Sequence, residues 1–93
     1  MIRGFADPET ERIWNGERSR KLPHDIQGRA FKLLKLIDAA EALADLAIPP
    51  SNRLHALKDD RAGQHSVSIN MKYRICFVWR DGGADDVEIT DYH

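Results

Sequence analysis

Three observations predict an α+β fold for this 93-residue chain. Apolar residues recur at helical spacing through its middle. The pattern switches to period-two alternation after Leu54. Turn signals then cut the alternating half into short antiparallel strands. The expected architecture is one domain over residues 1–93, with a short N-terminal strand and two helices packed on one face of an antiparallel sheet.

Met1-Ile2-Arg3-Gly4-Phe5 is the candidate first strand. Asp7-Pro8-Glu9-Thr10-Glu11 carries helix-start chemistry: a capping Asp, Pro in the first turn, and acids near the positive end of the helix dipole. Asn15-Gly16 ends that helix, and a basic loop runs on through Leu22-Pro23. In the second helix Ile26, Ala30, Leu33, Ile37, Ala40 and Ala44 form one stripe, Leu34 widens it, and Lys32 and Lys35 face away. The stripe frays near Leu46 and Pro49-Pro50 stops the helix, leaving Asp45 to Leu54 as a loop that crosses back. Ser66-Val67-Ser68-Ile69-Asn70 alternates, and Asn70-Met71-Lys72 turns. Tyr73 to Arg80 forms the central strand, Asp81-Gly82-Gly83 turns again, and Val87 to Thr90 is the last strand.

Strand parity separates two faces. Tyr73, Ile75, Phe77 and Trp79 share the bulky face, which is expected to meet the helices; Arg74, Cys76, Val78 and Arg80 share the other. Ser66, Ser68, Asn70, Glu88, Thr90 and Tyr92 have the parity of a polar face, whereas Asp91 follows Val87 and Ile89 towards the packed side. The sequence closes on Asp91-Tyr92-His93, directly after this strand, so these titratable groups are expected at the end of a sheet.

The apolar fraction of 42% suffices for one small core, and 31% charged residues suit a soluble, cytoplasmic protein. No apolar run reaches membrane length and no secretory signal is expected. The single cysteine, Cys76, excludes an internal disulfide and a cysteine-based zinc site. Charge is lopsided. All 14 Lys and Arg lie in residues 1–80 against ten acids, while residues 81–93 hold five acids and no Lys or Arg. The densest basic stretch contains Arg18, Arg20, Lys21, Arg29, Lys32 and Lys35; it reads either as a solvated helix face or as a patch that attracts phosphates.

His55, Lys58, Arg61, Arg74, Asp91, Tyr92 and His93 are the groups with chemistry to offer. A metal site on His55 and His93 lacks an obvious third ligand. A Ser66–His93–Asp91 triad can be drawn, but no nucleophile elbow surrounds Ser66. Cations, a phenol and an imidazole suit metal-free RNA cleavage better. The ribose 2′-OH needs a base, the attacked phosphate gains negative charge, and the 5′-oxygen needs a proton. Each residue also has an ordinary reading. His55 is then a loop histidine, the 58–61 segment a solvated turn, Arg74 a cross-sheet partner of Asp91 or Glu88, and Tyr92 a rim aromatic.

The segment from Leu54-His55-Ala56-Leu57-Lys58 to His65-Ser66, the run Tyr73-Arg74-Ile75-Cys76-Phe77-Val78-Trp79 and the closing Asp91-Tyr92-His93 together resemble the HigB-type toxins of the RelE/ParE superfamily. Met1-Ile2-Arg3-Gly4-Phe5 and Pro49-Pro50-Ser51-Asn52-Arg53-Leu54 match as well, so the likeness spans essentially the whole chain. The resemblance implies a RelE-like fold and the toxin of a type II toxin-antitoxin system. It implies a ribosome-dependent endoribonuclease that cuts mRNA in the A site without metal or organic cofactor. It also implies a HigA-type helix-turn-helix antitoxin through which the complex binds operator DNA.

By the same resemblance the catalytic set falls on His55, Lys58, Arg74, Asp91, Tyr92 and His93. Lys58 and Arg74 would stabilise the charged phosphate, His93 or His55 would move protons with help from Tyr92, and Asp91 would orient a neighbour. Arg18, Arg20, Lys21, Lys32, Lys35 and Arg61 would contact RNA or the ribosome. One departure is Ser68, where many relatives carry a basic residue. Two competing functions stand beside this reading: a ParE-like poison of DNA gyrase, and an antitoxin-binding, operon-regulating module without nuclease activity.

Overall fold

The computed structural model describes residues 1–92 and places them in two layers. One layer holds helices α1 (Pro8–Trp14) and α2 (His24–Ala39). The other is an antiparallel sheet in the order β1 (His55–Ala56), β2 (His65–Ser68), β3 (Tyr73–Arg80) and β4 (Gly83–Asp91). The N-terminal segment adds a short parallel lane outside β4, through bridges between Ile2 and Ala84 and between Phe5 and Val87. Among the described residues no helix is long and apolar enough to cross a membrane.

The core lies where parity predicts. Ile26, Ala30, Leu33, Leu34 and Ile37 of α2 meet Val67, Ile75, Phe77, Val87 and Ile89 of the sheet, and all are buried. Each large side chain removed from water in this way contributes about 1.5–3 kcal/mol. Ile13 of α1 joins them, and Thr10 ties α1 to the sheet: its buried hydroxyl accepts the Ile89 N–H at 2.9 Å and donates to the Asp7 carboxylate. Asp7 therefore anchors Thr10 and makes no side-chain cap to the helix backbone.

Two boundaries depart from expectation. The second helix ends at Ala39, before the expected fraying near Leu46, because Ala40 turns extended (φ −65°, ψ 134°). The Asp45 carboxylate accepts the N–H groups of Glu41 and Ala42, each at 3.0 Å, and starts a 3₁₀ turn over Leu43–Ala47. Leu46 remains in the core through that turn, while Ala44 leaves the stripe and is exposed. Asn52, buried, then holds the crossing segment by donating to the carbonyls of Leu46 and Ile48.

The last strand is longer than predicted and contains a bulge. Its pairing jumps from Cys76–Glu88 to Val78–Asp85, so Asp86 and Val87 together oppose Phe77. Asp86 takes the left-handed conformation (φ 52°), which Asp tolerates better than most residues. The bulge lets Ala84 and Val87, of opposite parity, both reach the core. The β3–β4 hairpin turns on Asp81 and Gly82, both at positive φ, as a primed turn requires.

The N-terminal lane is clamped to this hairpin by charge. Arg3 Nε donates to Asp85 Oδ1 at 3.0 Å, Arg80 Nη2 donates to Asp85 Oδ2 at 2.8 Å, and Arg3 also donates to the Arg80 carbonyl. Gly83 fits beneath the clamp because a Cβ there would stand 2.8 Å from Arg3 Nη1 and 2.9 Å from the Met1 carbonyl. Hydrogen bonds from Arg3 and then Arg80 hold the Asp85 carboxyl down to about 2, below the ordinary 3.8. A lowered carboxylate stabilises fully above the ordinary value and loses its contribution as pH falls through the folded one. Side-chain carboxyl NMR is expected to show Asp85 titrating near 2, with the amides of Arg3 and Ala84 losing exchange protection over the same range.

Candidate active site

The face of the sheet turned away from the helices carries the chemistry. Register aligns His55, Ser66, Cys76 and Glu88 in one row across the four strands, and Ser68, Arg74 and Thr90 in the next. This face is not bare. Ser66 and Cys76 are buried in it, beneath the segment that connects β1 to β2.

That connection is a compact excursion. The Leu57 N–H bonds the Gln64 carbonyl at 2.9 Å, and a 3₁₀ turn over Asp59–Arg61 fills the interior. Asp59 (φ 57°) and Gly63 (φ 93°) supply the left-handed corners. Lys58 enters the turn and is exposed. Arg61 leaves it and reaches across the sheet: Nη2 pairs with Glu88 Oε1 at 3.1 Å and Nη1 donates to Gln64 Oε1 at 3.0 Å.

Two hollows share His55 as a common wall. One, of about 340 Å³, is lined by His55, Leu57, Lys58, Asp59, Asp60, Arg61 and Arg74. The other, of about 360 Å³, is lined by Arg53, Leu54, His55, Ser66, Asn70, Met71 and Tyr92. Arg74 and Tyr92 join the two, the guanidinium lying over the phenol ring 5.0 Å from its centroid. Arg74 Nε is buried without a partner among the described residues. A buried donor left unspent in this way favours an arriving acceptor. Among the described residues Lys58 forms no ion pair either.

The structure thus brings together His55, Lys58, Arg61, Arg74 and Tyr92 of the sequence-predicted set. Arg74 faces Thr90 and Tyr92 instead of pairing with Glu88, which Arg61 takes. Asp91 opposes Tyr73, so its register lies on the packed side as Val87 and Ile89 suggested. Ser66 opposes Cys76 on the other face, which separates two members of the Ser66–His93–Asp91 triad. His93 lies outside the described residues. Among the described residues no three of His, Cys, Asp and Glu gather as a metal-binding group.

The predicted RNA-contacting cations divide between the layers. Arg61 stands at the hollow beside Lys58, whereas Lys32 and Lys35 are on α2 in the helical layer. Arg18, Arg20 and Lys21 line a separate hollow of about 390 Å³ with Glu9 and Arg12. On α2, Lys35 is engaged with aromatic faces, 4.3 Å from the Trp14 ring and 5.1 Å from Phe31. Density along the sequence does not reveal this division, because α2 and the sheet lie back to back. Arg53, Asn70 and Met71 were not singled out as site residues; they reach the second hollow from a crossing segment and a turn, where periodicity is silent. Ser68 is buried and donates to the Asn70 carbonyl at 2.8 Å, so it closes the β2–β3 turn.

Comparison with known proteins assigns this two-layer fold, with cations and an aromatic on its helix-free face, to the RelE-like toxins. A family model described as the RelE-like toxin of type II toxin-antitoxin system HigB matches residues 3–93, and the chain belongs to that family. It is 38% identical over 85 residues to Toxin HigB-1 of Vibrio cholerae serotype O1, covering 90% of each chain. It is 28% identical over 93 residues to Endoribonuclease HigB of Proteus vulgaris, covering 100% of each. Among solved structures, a chain of the YoeB-YefM complex from Staphylococcus aureus superposes with a TM-score of 0.62 at 17% identity, over 100% of this chain and 98% of that one, which supports the fold.

Cys76 lies at the centre of the chemical face but is inert there. Burial pushes its thiol up from the ordinary value, against smaller opposing effects of Arg74 and Arg61. Alkylation at neutral pH is expected to follow global unfolding, with Cys76 labelled in denaturant and protected in the native protein.

Proposed function

We propose that residues 1–93 act as one RelE-like endoribonuclease domain that cleaves mRNA in the ribosomal A site and stops translation in the cytoplasm. The observation that carries this reading is the convergence of His55, Lys58 and Arg74 on one hollow, with Tyr92 stacked on Arg74 at its border. The name of the Proteus vulgaris relative, an endoribonuclease, supports it.

The scissile phosphate sits between Lys58 and Arg74, where the unspent Arg74 Nε and the lysine ammonium meet the charge that grows on its oxygens. The ribose 2′-oxygen attacks phosphorus as its proton passes to a base. The bond to the 5′-oxygen breaks, and that oxygen takes a proton from an acid. The products are a 2′,3′-cyclic phosphate and a 5′-hydroxyl. His55 or His93 serves these proton steps, with the Tyr92 hydroxyl assisting, and Asp91 orients a neighbour from the packed side. The histidine assignment for His93 rests on the family resemblance.

None of the cations of the α1–α2 connection or of α2 lines the hollow of Lys58 and Arg74. Arg18, Arg20, Lys21, Lys32 and Lys35 form a second contact, to ribosomal RNA phosphates, while Arg61 borders the first. A HigA-type helix-turn-helix antitoxin restrains the toxin and carries the complex to operator DNA.

On programmed ribosomes, Lys58→Ala and Arg74→Ala are each expected to lower cleavage about 10²–10³-fold. Tyr92→Phe should cost less, because the ring stays over Arg74. Wild-type rates in both alanine variants would refute the assignment. Mapping of RNA ends in expressing cells should find cuts in frame within translated messages; double-strand DNA breaks without such cuts would favour gyrase poisoning. Replacing Arg18, Arg20 and Lys21 together with alanine should weaken ribosome binding and flatten its log–log salt slope by about 2 to 3, without moving the cut.

A further inference from the structure

Lys58 sits on a segment with little to hold it. β1 is two residues long, and among the described residues the excursion after it is closed by one backbone bond from Leu57 to Gln64 and by bonds inside its own turn. Asp59, Asp60, Ala62 and Gly63 are exposed, so the tip buries no apolar anchor. Among the described residues, one side-chain ion pair ties this excursion to the far strand. Arg61 crosses the sheet to Glu88 at 3.1 Å while its other terminal nitrogen is held by Gln64 at 3.0 Å.

We infer that Glu88 is a positioning residue for the proposed cleavage reaction: by gripping Arg61 it holds the Lys58 turn over the sheet at the height the phosphate requires. The inference rests on the endoribonuclease reading, because it assigns Glu88 a task in that reaction. Four features carry it. Both terminal nitrogens of Arg61 are committed inside the protein, unlike Arg74 Nε and Lys58. Glu88 is one residue pair from Arg74 along the same face, since Cys76 opposes Glu88 and Arg74 opposes Thr90. A carboxylate in that place opposes phosphate binding unless a cation covers it, and Arg61 covers it. The pair is also about two-thirds buried on both sides, with 29% and 30% of the side chains exposed.

A partly exposed ion pair adds little to global stability. Displacing a catalytic cation by an ångström, by contrast, can cost two orders of magnitude in rate. The two roles therefore separate experimentally. Glu88→Ala should lower kcat on programmed ribosomes about ten-fold or more with the melting temperature nearly unchanged, and Glu88→Gln, which keeps an acceptor for Arg61, should recover much of the rate. In a double-mutant cycle, Glu88→Ala should cost little in a Lys58→Ala background, although the two side chains form no pair. Hydrogen exchange supplies a readout independent of activity: Glu88→Ala should speed exchange at the Leu57, Arg61 and Gln64 amides and leave β3 protected.

If Arg61 instead binds the phosphate directly, Glu88→Ala frees it, and the rate holds or rises. That result, or full multiplication of the Glu88 and Lys58 losses, overturns the inference. Unchanged exchange at the three amides overturns it as well. A wild-type protein that cuts no ribosome-bound mRNA sinks the endoribonuclease reading itself, and the exchange data then still decide whether Glu88 holds the turn.

Discussion

The alternation of β3 is the constraint on which the other features depend. Ile75 and Phe77 must leave water, and they do so against α2; the pleat then sends Arg74 and Cys76 the other way. A register slip of one residue would place Arg74 in the core and Phe77 in solvent. The hydrophobic demand of one face therefore holds the charged groups of the other in place, at no separate cost. The bulge at Asp86 and Val87 extends this logic by keeping β4 in step with the core on both sides of an irregularity.

Most of this was legible in the sequence, for identifiable reasons. The strand faces followed from parity, because period two leaves no freedom once one face is apolar. The helix start at Asp7-Pro8 and the turns at Asn70 and Asp81 followed from residues with restricted backbone preferences. The end of α2 did not, since Asp45 stops the helix through two backbone N–H groups and apolar spacing continues past that point to Leu46. The start of β4 at Gly83 was also hidden, because Gly83 was read into the turn and the alternation is broken by the bulge at Asp86 and Val87.

The candidate site was partly legible. His55, Lys58, Arg74 and Tyr92 were named from their chemistry and given roles by a family likeness, and the fold gathers them. The partition of the cations was beyond the sequence: Arg18, Arg20 and Lys21 lie on the α1–α2 connection, Lys32 and Lys35 on α2, and Arg61 over the sheet, and which of them meet one hollow is a tertiary fact. The partner of Glu88 was equally hidden, because Arg61 and Arg74 are both cations near the same strand, and only register and loop path decide between them.

The lane of Met1 to Phe5 beside β4 has a consequence for behaviour at high concentration. An uncovered nine-residue outer strand would offer a row of free N–H and C=O groups to any other chain. Here the first residues occupy that row, and Thr10 takes the Ile89 amide beyond them. At the opposite border β1 spans only His55 and Ala56, too short to template much pairing. With both margins blunted, the sheet resists edge-to-edge polymerisation while the hollows on its helix-free face stay accessible.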